Sequence, residues 1–506
     1  MPMKILIRIF LIQILFFFNS FASTLNLSIS SSPSRLNPII AADSASSEIT
    51  RWLFNGLLKY DKDGNIVTDL AQSYYFKTDT KLIFKLKKGI KWHDGVEFSA
   101  DDVIFTYEKI IDKNIYTALK SNYKEVKSVK KIDRYTIEVD YKRAYFKALV
   151  IWMVEIIPKH LLENEKNLMS SFFDRKPIGT GPYKIKEFKT GEDIKLFANK
   201  EYFDGEPKIE KVHYKFIPDT NTSFLMLKQK QLDIGGLSPL QIDRQINTNF
   251  RKNFKIIERP SFSYDYLGFN LRNKKFQDKR VREALSLGIN RQELVDILFF
   301  GHGEVCKGPF LPGNFAYNEN VKAIKPDLQK AKKLLKEAGY DEKNPFSFEI
   351  VTSTGGDTRI NAAQIIQYQL SQIGVKVTIR VMEWQAFLNT VVFPRNFETV
   401  LLGWSLALMP DAYPLWHSDS DRLGGFNLVG YHNKEVDKLI EKGSTTVDME
   451  KLSKIYKKLF TIISNDKPYL FLYIPNSITV VNSKIKNVQP AFIGIMHNQK
   501  DWIKPE

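Results

Sequence analysis

A single cysteine, Cys306, is all that the 506-residue chain contains. One thiol excludes an internal disulfide, a four-thiolate zinc site and a Cys-x-x-Cys redox pair. Histidine is also scarce: His93, His160, His213, His302, His417 and His432 lie tens of residues apart or lack carboxylates at ligand spacing. The chain has no HExxH and no GxSxG, so no zinc hydrolase or serine nucleophile announces itself, and neither a metal nor a cofactor is expected. Zinc-finger spacing and an aromatic RNA-binding signature are missing too, which argues against a nucleic-acid partner. Beyond the N-terminus no stretch of 18 apolar residues offers a membrane span, and neither a short-period repeat nor a low-complexity linker breaks the chain.

What is present begins with Lys4 and Arg8 ahead of the apolar run Ile9–Phe18. At about ten residues, that run is half the length a bilayer-crossing helix needs. With Ser20-Phe21-Ala22 after it, the segment reads as a secretory signal, residues 1–22, cleaved after Ala22. No cysteine follows for lipid attachment. The mature protein is therefore expected free in the periplasm of a two-membrane cell, where a chain this long does not require disulfides.

The net charge is +17, from 74 Lys and Arg against 57 Asp and Glu. Such charge could draw acidic ligands, but Lys85, Lys87, Lys88 and Lys91, or Lys332, Lys333 and Lys336, sit inside periodic segments and form no basic tail. The length far exceeds what one hydrophobic core organises, so at least two lobes are expected.

Alternating strands and helices fill the chain. Leu82–Lys87 alternates as a strand, and Ser99 with Asp102 forms a capping box ahead of a helix carrying Val103, Ile104, Tyr107 and Ile110. Between them, His93 and Asp94 read as turn and surface chemistry. Gly179-Thr180-Gly181-Pro182-Tyr183 is a turn before a strand, without the Lys-Ser/Thr of a phosphate cradle. Phe346–Val351, a helix near 362–373 and Val375–Val381 make a strand–helix–strand unit, and Tyr469–Pro475 is a late strand. The fold class is α/β. Aromatics make up 13% of the chain; most must be core, but Trp384, Trp404 and Trp416 lie in loop-like contexts where flat side chains could wall a pocket.

The segment Leu82–Tyr107, LIFKLKKGIKWHDGVEFSADDVIFTY, resembles the signature of the extracellular solute-binding proteins of the dipeptide, oligopeptide and nickel uptake family. Further landmarks follow in family order: Ile178–Tyr183, Tyr202–Pro207, Leu267–Asn270, Asp278–Leu285, Ala331–Gly339, Gly403-Trp404, and Gly425-Phe426-Asn427 with Tyr431, Asn433 and Asp437. The resemblance implies a two-lobed periplasmic-binding-protein fold with a hinge and an extra subdomain. Lobe I would comprise 23–55, 179–267 and 480–506, the inserted subdomain 56–178, and lobe II 268–479.

It also implies a function: capture of a short peptide or peptide-like small molecule between the lobes, by a protein expected to act as a monomer. Delivery would be to an inner-membrane ABC permease with its ATPase on the cytoplasmic side. Receptors for a metal chelate, haem or oligosaccharide in the same family are the alternative, and a peptide-holding chaperone or a periplasmic hydrolase lies further off. The ligand-binding residues it points to are Gly403, Trp404 and Ser405, with Trp384, Trp416, His417, Arg422 and Asn427 around them. In peptide-binding relatives an aspartate three positions after that tryptophan receives the ligand's amine. Here the position is Ala407, and Asp411 is the nearest acid able to compensate a buried ammonium. Arg422 is the expected partner of a ligand carboxylate.

Overall fold

The computed structural model describes residues 23–505 apart from 42, 166, 355, 356 and 423. The expected signal segment 1–22 thus lies outside the described residues.

The first described element is the strand Thr24–Ile29, whose Leu25 and Leu27 point into the core. It pairs in parallel with Lys211–Phe216, and Asp193–Ala198 and Tyr183–Lys189 complete a four-stranded sheet. The helix Ser44–Leu53 is capped by the Asp43 side chain and lays Ile49, Trp52 and Leu53 on that sheet. Trp52 is fully enclosed among Tyr183, Tyr214 and Trp502, and its indole N–H donates to Tyr214 Oη at 3.1 Å. An enclosed indole is a large apolar anchor only if that one donor is met, as it is here.

Residues 56–178 add a second four-stranded sheet, all antiparallel, in the order Ala71–Thr78, Lys81–Leu86, Thr136–Tyr141, Val126–Asp133. The helix Ala100–Ile111 carries the expected capping box between Ser99 and Asp102. One continuous set of buried side chains runs from Leu25 through Phe84 and Trp152 to Tyr214 and Trp502, so the insertion shares its core with the lobe that bears it.

Three tight contacts gather where the insertion leaves and rejoins the lobe, and the third of them crosses between the two. Gly179 and Gly181 press against the backbone of Leu53, so a Cβ at either would collide with its carbonyl, and Gly181 N–H donates to Leu53 O at 2.8 Å. The third is His93, which is buried; its position in a turn suggested a surface role, but tertiary contact encloses it. Its Nδ1 accepts from Gly179 N at 3.1 Å and its Nε2 lies 3.0 Å from Gly181 O. One nitrogen accepts and the other donates, so the ring is used in its neutral form, and burial pushes its pKa down to about 4.

In the second lobe the strands Ser263–Phe269, Thr399–Ser405, Ser347–Ser353 and Lys376–Met382 lie side by side. Strand alternation divides their side chains between two layers. Leu267, Phe269, Ile350 and Leu401 face the helices Lys279–Leu287 and Asp357–Ser371. Tyr264, Tyr266, Val351, Val400 and Leu402 face the opposite layer, which includes the long helix Met449–Asp466. The strand–helix–strand unit lies where its periodicity places it, with the helix beginning earlier, at Asp357.

The strand Tyr469–Asn482 ties the lobes together. Tyr469–Tyr473 pairs with Ser263–Phe269, whereas Asn476–Asn482 pairs with Phe254–Pro260. We place the two chain crossings where pairing changes, at 260–263 and 475–476, a few residues before 267/268 and 479/480. A second link comes from the insertion: Phe146 is buried in the second lobe's core, its N–H donates to Ser444 O at 3.1 Å, and Lys147 Nζ stands 2.8 Å from Asp411 Oδ2. Among the described residues no helix is long and apolar enough to cross a membrane.

Candidate functional site

Beside the chain crossings the first lobe opens into a cavity of about 580 Å³. Its floor is the strand edge at Ser28, Gly235 and Gly236, and its walls come from the helix Ser44–Leu53, the end of Phe254–Pro260 and the loop 490–496. Four charged residues line it: Glu48, Arg51, Glu258 and Arg259.

Arg259 is the unusual one. It is half-buried, its guanidinium lies 5.0 Å over the Phe262 ring, and its one hydrogen bond goes to the carbonyl of Pro260 at 3.2 Å. No carboxylate stands within ion-pair distance of it among the described residues. Burial lowers its pKa, and this half-buried cation faces the cavity with water, not a protein carboxylate, to meet its charge. Glu258 is occupied by His302 Nδ1 at 3.0 Å and Asn476 Nδ2 at 2.6 Å. Glu48 accepts from Tyr214 Oη at 2.7 Å and has no cation paired with it among the described residues.

Phe492, which lines the cavity, touches Phe262 of the chain crossing edge to face at 5.3 Å. Leu406 N–H donates to Phe262 O at 2.7 Å, carrying the end of the strand Thr399–Ser405 to the same place. The end of that strand is thus two contacts away from the cavity, through Phe262 and Phe492, and none of Gly403, Trp404 and Ser405 is among the residues lining it. Trp404 is half-buried and stacks on Tyr266 at 6.3 Å, which in turn stacks on Tyr469 at 3.8 Å. Gly403 has a structural reason of its own. Directly over it lies the pair Arg359–Asp265, joined by two hydrogen bonds of 3.0 Å, and a Cβ would strike both partners.

The other residues singled out in the sequence lie elsewhere. Trp416 is wholly enclosed against Tyr431, Tyr469 and Phe471. Asn427 is also fully buried, its amide donating to Tyr431 O at 2.7 Å and its carbonyl oxygen accepting from Tyr431 N at 3.0 Å. His417 is buried under a stacked Tyr413, 4.2 Å away, and its Nδ1 accepts from Asp419 N. Asp411 is engaged by Lys147. Arg422 and Trp384 are exposed, the latter beside Phe387. Sequence reasoning did not reach Glu48, Arg51 or Arg259, because nothing local separates an unpaired arginine from a paired one.

No group of three His, Cys, Asp or Glu side chains among the described residues could hold a metal ion. Cys306 is buried, and desolvation pushes its thiol up to about 12, which leaves it unreactive at neutral pH.

Comparison with known proteins gives this geometry a family. Residues 65–425 match the model of the bacterial extracellular solute-binding proteins, family 5 (middle region). The chain is 36% identical over 490 residues to the oligopeptide-binding protein AppA of Bacillus subtilis (strain 168), spanning 93% of this chain and 89% of that protein. The structure of the Bacillus subtilis AppA in complex with a nonapeptide superposes with a TM-score of 0.74 at 33% identity, over 96% of this chain and 99% of that one. The ABC transporter substrate-binding protein CtaP of Listeria monocytogenes reaches a TM-score of 0.85 at 27% identity, covering 96% and 100%. The chain described here belongs to the bacterial extracellular solute-binding proteins of family 5 and has their two-lobed fold.

Proposed function

We propose that this protein is the periplasmic substrate-binding component of an ABC importer that captures a short peptide or peptide-like solute between its lobes. It then delivers the ligand, as a monomer, to an inner-membrane permease driven by a cytoplasmic ATPase. The observation that carries the reading is Arg259, a half-buried and unpaired cation in a cavity at the lobe junction. With Glu48 lining the same cavity, and Arg51 beside it, the first lobe offers anchors of both signs, which suits a zwitterion. The exposed Ser405 and the half-buried Trp404 would supply polar and apolar contacts from the second lobe on closure, the usual composition of a pocket for such ligands. The peptide ligand of the Bacillus subtilis relative supports the same class.

Ala407 cannot receive the ligand's amine, and Asp411 is engaged by Lys147. Glu48 therefore takes the role of amine anchor in this proposal, and Arg259 that of carboxylate anchor in place of the exposed Arg422. Closure of one lobe on the other about 260–263 and 475–476 would complete the burial of the ligand.

Native mass spectrometry of protein drawn gently from its own periplasm tests the reading. Release of short peptides is the expected result; release of a metal chelate, haem or sugar would overturn the ligand class while leaving the family standing.

A further inference from the structure

The strands that frame the cavity end, on their far side, in a second depression of about 660 Å³. Phe254–Pro260 runs from one to the other, so Lys252 at this end and Arg259 at the cavity are seven residues apart, roughly 20 Å along an extended strand. The two sites share no lining residue.

The floor of the depression is a satisfied ion pair. Asp233 is buried and accepts from Lys504 Nζ at 2.7 Å, Asn26 N at 2.8 Å and Asn482 Nδ2 at 3.0 Å, and Lys504 also donates to Thr24 O at 2.6 Å. Around this neutral floor stand Lys230, Lys252, Lys484 and Lys486, all exposed. None of the four has a carboxylate within ion-pair distance among the described residues, and Asp233 is the one acid lining the depression. Lys230 is set there by a left-handed backbone turn, φ 59°, a conformation a non-glycine side chain adopts at a cost. Some lysines elsewhere on the surface are ion-paired, Lys81 with Glu138, Lys131 with Asp101, Lys195 with Glu187 and Lys458 with Glu435; what sets these four apart is that they line one concavity together.

Four lysines without a carboxylate partner among the described residues, lining one concavity together with Ser483, have the chemistry of an anion site. We propose that this end of the first lobe binds a phosphate-bearing anion, separately from the solute in the cleft. Lysine suits the role because its ammonium is a compact charge that meets phosphate oxygens without a fixed fork. The same chemistry is presented by a free phosphate compound and by the headgroup of an anionic lipid, and the experiment separates them.

The test compares the full mature protein with Lys230→Gln/Lys252→Gln/Lys484→Gln and with a charge-matched control, Lys332→Gln/Lys333→Gln/Lys336→Gln, on a helix face of the other lobe. Pyrophosphate is titrated by calorimetry, and vesicles of phosphatidylglycerol or phosphatidylcholine are used for co-sedimentation. A free-anion site predicts pyrophosphate binding by the native protein and the control, weakened at least about tenfold in the site variant. A headgroup site predicts instead retention on phosphatidylglycerol but not phosphatidylcholine, lost in the site variant alone. Equal behaviour of site variant and control with both probes, or no binding to either probe, overturns the proposal. The site variant should retain native affinity for the cleft solute, so this outcome is independent of the function proposed for the cleft.

Discussion

The two lobes face each other with different chemistry. On the second lobe's side two acids are already engaged: Asp265 holds Arg359 and accepts from Tyr473 Oη at 3.2 Å, and Asp411 holds Lys147. What remains there is an aromatic stack, Trp404 on Tyr266 on Tyr469. On the first lobe's side Glu48, Arg51 and Arg259 line a cavity, and none of the three has an ion pair among the described residues. A charge whose partner is supplied by the protein is used for folding, whereas one left without a partner is available to a ligand. The second lobe therefore contributes surface, and the first contributes discrimination.

The most disruptive way to break this comparison is to remove an internal partner. Asp265→Ala leaves the Arg359 guanidinium uncompensated and should cost about 3–4 kcal/mol in urea denaturation, because losing one member of a largely buried pair costs more than the pair is worth. The isosteric Asp265→Asn should cost less and leave solute affinity within about twofold.

Acid should loosen the first lobe by nearly as much. His93 is neutral when folded, with a pKa of about 4, against about 6.5 when unfolded. Between those values the unfolded chain binds the extra proton, so stability falls as pH drops from about 6.5 to about 4, by roughly 3 kcal/mol in all. Hydrogen exchange at falling pH should show amides around Gly179 and Leu53 losing protection before those of Ser263–Phe269. In His93→Gln the pH slope should flatten.

Arg259→Gln addresses the first lobe's own wall. It should weaken solute binding about 10–100-fold, roughly 1.4–2.7 kcal/mol, without lowering the melting temperature, since no protein carboxylate loses its partner. The smallest effect is expected from Asp411→Asn. Its pair with Lys147 is partly solvated, at 32% and 19% side-chain exposure, so the stability change should stay below about 1 kcal/mol and affinity for a peptide with a free amine should be unchanged.

Much of the fold was legible before any coordinates. The capping box at Ser99 and Asp102 and the strand–helix–strand unit of 347–382 follow from local chemistry and periodicity, and both formed as expected. The family landmarks turn out to hold the frame. Gly179 and Gly181 let the chain lie against Leu53, Asn427 closes a turn onto Tyr431, and buried Arg282 caps Phe276, Gln277 and Asp466 carbonyls. The candidate site was less legible, for two reasons. An aromatic's loop context does not say which way it points, and Trp416 points inward. Whether a charge is free depends on partners remote in sequence: Asp411 meets a lysine 264 residues earlier, and Arg259 meets none.

The most direct measurement is a crystal structure of the protein carrying the ligand it retains from its own periplasm. This account predicts a ligand carboxylate within about 3 Å of the Arg259 guanidinium, with the peptide chain running past Ser405. A ligand whose charged groups are all met by second-lobe side chains, with Arg259 left to water, would contradict it.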